Sequence, residues 1–116
     1  GEKLTAISEN SFEDCQSLKK VNLPNSVQTI EQYAFYNCVS LENVTFGDKV
    51  SHFSKYAFGN TAITEIYFPE NMQIEIMDTG AFGINAYGTT VYIVKDSWCD
   101  INRETWDIGF QEIKYK

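Results

Sequence analysis

The chain is 116 residues long, 43% apolar and 15% aromatic, with 22% charged residues and two prolines, which is the makeup of one small folded domain and excludes a disordered tail. Nine basic against sixteen acidic residues leave a formal net charge of −7, so nucleic acid and anionic membrane surfaces are poor partners. No apolar run approaches the roughly 18 residues of a spanning helix, the N-terminus has no basic-then-apolar leader, and three cysteines with no CxxC pair make neither a disulfide scaffold nor a thiolate metal site.

The dominant signal is an internal repeat. Phe12, Phe35 and Phe58 are spaced 23 and 23, and Phe82 follows after 24. The residue before each is small: Ser11, Ala34, Ala57 and Ala81. Ile7, Ile30 and Phe53 repeat at 23, as do Leu4, Val27 and Val50, with Met72 as the next member. Cys15 matches Cys38, and Tyr33 matches Tyr56. Leu18, Leu41 and Ile63 open the units, with Val21, Val44 and Ile66 three residues on and Leu23, Phe46 and Phe68 five on. A unit reads LxxVxLPxxVxxIxxYAFxxCxS. The 116 residues then divide as one domain: a partial repeat over 4–17, repeats over 18–40, 41–62 and 63–88, and a last strand with a terminal segment over 89–116. The second unit is one residue short, and the third carries an insertion around Asp78, Gly83 and Asn85.

Within a unit, Val21 and Leu23 alternate with polar residues, the period-two mark of a short half-buried strand. Pro24, Gly47 and Pro69 end these strands, since proline cannot donate to a ladder. Val27 to Ile30, at spacing three, leads into Tyr33-Ala34-Phe35, which reads as a helical or 3₁₀ turn. A unit of this length cannot bury its own apolar side, so neighbouring units must stack with strands about 4.8 Å apart, as a solenoid.

After the last strand, Thr90 to Val94, the pattern becomes helical. Ser97 with Asp100 three on resembles a capping box, and Gly109 stops a helix of about eleven residues. Trp98, Ile101, Thr105 and Ile108 fall on one face, with Cys99 and Trp106 beside them, as a lid over an open core end requires. Phe110, Ile113 and Tyr115 alternate as a closing strand. The chain begins inside a unit, which implies a piece of a longer array whose uncapped end exposes Leu4, Ile7 and Phe12 to self-association.

The run from Leu18 to Ser40 resembles the BspA-like class of leucine-rich repeat, and residues 91–113 are similar to the terminal cap of such arrays. The resemblance implies an α/β repeat solenoid: a right-handed superhelix of short parallel strands in units of about 23 residues, closed by a C-terminal helical cap. It also implies a protein that is secreted or displayed on the surface of bacteria or protists, often for adhesion to host matrix proteins or other cells. No enzyme activity and no cofactor are implied. The chain departs from the pattern at Asn60-Thr61, where the cysteine slot is lost, and in the third unit.

In such a solenoid the polar strand positions line one curved, concave face. Lys20, Asn43, Glu65 and Thr90 form one row across it; Asn22, Thr45, Tyr67 and Tyr92 form the next. Neighbouring Tyr67 and Tyr92 offer flat apolar area with polar tips, the chemistry of protein and sugar contacts, or else they stack only to stabilise the sheet. These rows are the expected ligand face, with a host extracellular protein or glycan as its partner; a spacer that binds nothing is the alternative. Cys15 and Cys38 share one slot and could form a bridge, although a small buried thiol suits that slot better. Cys99 reads as packing, and His52 has no reason to meet a nucleophile, so no Ser/His/Asp, Cys/His or metal-ligand set falls on one expected surface. Glu70, Glu75, Asp78, Asp96 and Asp100 read as solvated turns and helix caps, with no DxDxDG calcium loop among them. Asn43-Val44-Thr45 fits the glycosylation tripeptide but lies on a strand.

Overall fold

The computed structural model describes residues 4–116 and lays the repeat out as two stacks of short parallel strands joined by turns. The first stack contains β1 (Ala6–Ile7), β3 (Thr29–Ile30), β5 (His52–Phe53) and β7 (Ile76–Met77), in that spatial order. The second contains β2 (Lys20–Asn22) paired with β4 (Asn43–Thr45), then β6 (Glu65–Tyr67) paired with β8 (Thr90–Ile93) and β8 with β9 (Glu112–Tyr115). Every pairing is parallel and in the register of the repeat, with Val21 opposite Val44 and Ile66 opposite Val91.

The first stack is a finding that periodicity did not announce. Two-residue strands are too short to show alternation, so Val27 to Ile30 read only as the approach to a turn. In the structure Ile7, Ile30, Phe53 and Met77 point inward from this stack and meet Val44, Ile66 and Val91 from the other. The turn expected at Tyr33-Ala34-Phe35 is present: the Ala34 N–H donates to the Glu31 carbonyl at 3.1 Å and the Tyr36 N–H to the Tyr33 carbonyl at 3.2 Å. These turns also bond from unit to unit, the N–H groups of Phe12, Phe35 and Phe58 each donating at 2.8 Å to Ala34, Ala57 and Ala81. A 3₁₀ segment, Gly83–Gly88, forms at the insertion of the third unit.

The repeated Ala-Phe pairs fill the middle of the molecule. Phe12, Phe35, Phe58 and Phe82 stack ring on ring at centroid distances of 5.1, 5.2 and 5.3 Å. Phe110 closes the column edge-on against Phe82 at 5.4 Å. The alanines are fully buried because any longer side chain there would hold successive turns apart. Among the residues expected at the N-terminal end, Leu4 and Phe12 are exposed, but Ile7 is buried, held by the β1–β3 pairing under the first turn.

A second column runs along the turns on polar side chains. Asp14, Asn37 and Asn60 all have left-handed backbone angles, φ 64°, 64° and 53°, a region that asparagine and aspartate tolerate better than other L-residues. Gly83, one residue after Phe82 and packed over Gly59, also has a positive φ of 57°. The Asn37 amide donates to the Asp14 carboxylate at 2.7 Å, and the Asn60 amide donates to Asn37.

The expected eleven-residue helix is two short ones, α1 (Trp98–Ile101) and α2 (Arg103–Trp106), broken at Asn102, whose φ of −112° and ψ of 35° leave helical space. The Ser97 hydroxyl accepts from the Asp100 N–H at 3.3 Å, half of a capping box; the Asp100 carboxylate accepts from Asp96 N–H instead of returning to Ser97. The break also changes which residues face inward. Cys99 and Trp106 are fully buried, whereas Ile101, placed on the inner face by a continuous 3.6 period, is 75% exposed. The Trp106 indole N–H donates to the Cys99 carbonyl at 2.9 Å, and its ring meets Phe68 edge-on at 5.1 Å. Gly109, at φ 103°, turns the chain into β9, where the closing strand expected from Ile113 and Tyr115 lies parallel to β8 with Ile113 opposite Val91.

Candidate functional site

The second stack turns its polar positions to solvent. Lys20, Asn22, Asn43, Thr45 and Glu65 are exposed and Tyr67 is 47% exposed, while Thr90 and Tyr92 are half-buried. Pairing brings Lys20 beside Asn43 and Asn22 beside Thr45 on one side, and Glu65 beside Thr90 and Tyr67 beside Tyr92 on the other. All eight residues of the two rows therefore lie on one face, whose floor is Val21, Val44, Ile66 and Val91.

Tyr67 and Tyr92 stack with centroids 4.7 Å apart and ring planes 12° from parallel. Hydrogen bonding to the Glu65 carboxylate, with some desolvation, raises the Tyr92 phenol above its ordinary pKa. Between β4 and β6 the strand ladder is interrupted: the two strands are not paired, and β2–β4 and β6–β8–β9 form separate sheets. A hollow of 430 Å³ lies over the interruption, lined by Lys20, Asn43, Val44, Thr45, Glu65 and Tyr67. Asn22 and Tyr92 stand outside it, one on each side.

Sequence reasoning stopped the two rows at β8. The structure continues them into β9, where Glu112 lies opposite Thr90 and Lys114 opposite Tyr92. The signal was present, since Val91 to Ile113 is 22 residues, one unit length, but the helical pattern between them masked it.

Elsewhere the structure does bring one unexpected set together. The Ser51 hydroxyl lies 2.8 Å from His52 Nδ1, and the Glu75 carboxylate lies 3.6 Å from His52 Nε2. Glu75 is 72% exposed, so water screens it and no buried acid fixes the imidazole as a hydrolytic triad requires. The three cysteines are free thiols. Burial pushes the Cys38 thiol up, with its Sγ donating to the Phe12 carbonyl at 3.0 Å, and burial pushes Cys99 up to about 12. Neither thiol is an activated nucleophile. Asp100 does more than cap a helix: it accepts from Arg103 at 3.0 and 3.2 Å and from the Tyr115 hydroxyl at 3.2 Å, tying the helical segment to β9. No cluster of three metal-ligating side chains occurs among the described residues. No helix among them is long and apolar enough to cross a membrane.

No curated protein and no solved structure matches the chain. A family model does: the BspA type leucine rich repeat region matches residues 1–103 in six copies. That match spans most of the sequence and agrees with stacked short parallel strands at the repeat interval, so the chain belongs to the BspA-type leucine-rich repeat family.

Proposed function

We propose that this chain is a non-enzymatic recognition module of a secreted or cell-surface protein, binding a host extracellular protein or a glycan through the face of its longer strands. In this reading the units wind as a right-handed superhelix with the concave side toward the ligand, and residues 97–109 cap it. The observation that carries the proposal is the Tyr67–Tyr92 stack standing beside an open hollow on that face. Two ordered aromatic rings at the edge of a concavity offer apolar area at low entropic cost, the arrangement found at binding hot spots. A host-adhesion role draws on the family, whose members are commonly surface proteins.

A spacer role has one observation of its own. The tyrosines spend a ring face each on one another, which stabilises the sheet with or without a ligand. Binding of the protein to immobilised matrix proteins and glycans, beside a Tyr67→Ala/Tyr92→Ala variant whose fold is checked by circular dichroism, separates the readings. Saturable binding that the folded double variant loses supports recognition; a protein that binds nothing supports the spacer.

A further inference from the structure

We infer that the hollow over the β4–β6 interruption is a binding site for one pyranose ring of a neutral glycan, with Tyr67 as the stacking platform. The inference rests on the recognition reading above and narrows it to a ligand class and a location.

The backbone makes the first part of the argument. The Asn43 N–H donates to the Lys19 carbonyl at 3.3 Å, and the Thr45 carbonyl accepts from the Leu23 N–H at 3.0 Å, so both residues turn their peptide groups toward β2. Alternation along the strand then turns the Val44 N–H and C=O toward β6. On β6, the Thr64 carbonyl and the Phe68 N–H bond to β8, each at 2.9 Å, which turns the peptide groups of Glu65 and Tyr67 toward β4. In a continuous sheet these groups would pair with one another, but here no ladder joins them. Peptide donors and acceptors left without protein partners require water or a ligand. A sugar hydroxyl donates and accepts at once, so a ring carrying several of them suits an edge that offers both.

The side chains make the second part. Tyr92 occupies one face of the Tyr67 ring; the other face is turned to the hollow, where Thr45 and Asn43 stand opposite on β4. A flat aromatic wall opposite an amide and a hydroxyl matches a pyranose, which has an apolar C–H face and a polar rim. Charge decides which sugars fit. Lys20 and Glu65 bring one positive and one negative group to the lining, so the hollow itself is balanced, and the chain's net charge of −7 disfavours anionic sugars. The volume of 430 Å³ falls in the range of small-ligand sites, about 300–1,000 Å³, and suits one ring with its water. An open, shallow site of this kind gives Kd values on the order of 1 mM per ring, so a multivalent glycan would be needed for tight capture.

The test is titration of the ¹⁵N-labelled protein with methyl glycosides of glucose, galactose, mannose and N-acetylglucosamine, followed by amide shifts, with methyl glucuronide as the anionic comparison. The expected result is saturable shifts confined to residues 43–45 and 65–67 with at least one neutral glycoside and none with the glucuronide. Tyr67→Phe should retain the affinity and Tyr67→Ala should lose it at least tenfold. Ile84→Ser, on the exposed 3₁₀ segment, should change nothing. If Tyr67→Ala does not fold, Asn43→Leu, which fills the polar side of the hollow, must abolish the shifts. Shifts that fall elsewhere, or none with any neutral glycoside, overturn the inference. Should the protein still capture a matrix protein through Tyr67 and Tyr92 in the earlier assay, recognition stands without the sugar site; loss of both results removes the two together.

Discussion

The Asn37 side-chain amide donates at 2.7 Å to the Asp14 carboxylate exactly one unit upstream in the chain, 23 residues away, and Asn37 in turn accepts from Asn60. Asn37 also holds a backbone φ of 64°. One side chain thus sets a turn and joins three units. Asn37→Ala removes both rungs and forces a Cβ-bearing residue with no compensating hydrogen bond into left-handed space, at a cost of about 1–3 kcal/mol. Asn37→Gly loses the rungs but accepts the angle, so urea denaturation should rank it between wild type and the alanine variant.

The phenylalanine column should show a gradient. Phe58 is fully buried between Phe35 and Phe82, so Phe58→Ala leaves a cavity in the middle of the stack and costs about 3–5 kcal/mol. Phe12, 41% exposed with a ring neighbour on one side only, should lose less than half as much. Thermal melts of the two variants check the order.

Asp100 links stability to acid. Its carboxyl is held below the ordinary value of 3.8 by the Asp96 N–H and then by Arg103 and Tyr115. A group depressed in the folded state stabilises above its unfolded pKa, and that contribution is lost as pH falls through the lower folded value. Asp100→Asn should therefore be less stable than wild type near neutral pH, with the gap closing below about pH 4. Urea midpoints at neutral and acid pH measure it.

Tyr92 gives the alkaline counterpart. Its raised pKa places phenolate formation later than in an exposed tyrosine, and stability linked to it is present below about pH 10 and lost as pH rises through the folded value. Glu65→Gln removes the carboxylate that contributes most, so the late component of an ultraviolet phenolate titration, identified by its absence in Tyr92→Phe, should move toward lower pH.

Thiol labelling should follow burial. Cys15 is half-exposed, whereas Cys38 and Cys99 are buried and their raised pKa values suppress the reactive thiolate. A chromogenic disulfide reagent should modify one thiol promptly in the native protein and all three in denaturant.

The repeat, the inward Phe and Val positions and the face carrying Tyr67 and Tyr92 were legible because each is written three or more times at one interval. The two-residue strand at Thr29–Ile30 was not, because alternation needs more residues than it has. The inward set of the terminal helices was misread at Ile101, since a 3.6 period counts through Asn102 while the backbone breaks there. Asp14, Asn37 and Asn60 share the interval and were passed over, because polar residues at turns read as solvated until the left-handed angles show why those side chains are there. The β4–β6 interruption follows from no residue pattern; β8 and β9, also 22 residues apart, keep their ladder.

The two stacks count differently. Successive strands of the first are 23, 23 and 24 residues apart, from Ala6 to Thr29 to His52 to Ile76, whereas paired strands of the second are separated by 23, 25 and 22. Among the strands that do pair, connector length is thus decoupled from registration: a turn absorbs an added or missing residue and the next rung still meets its neighbour, the β4–β6 step being the exception. Loops in this architecture can lengthen, shorten and change chemistry one at a time, so a lineage can remodel a single level of the ladder while the levels above and below keep their shape.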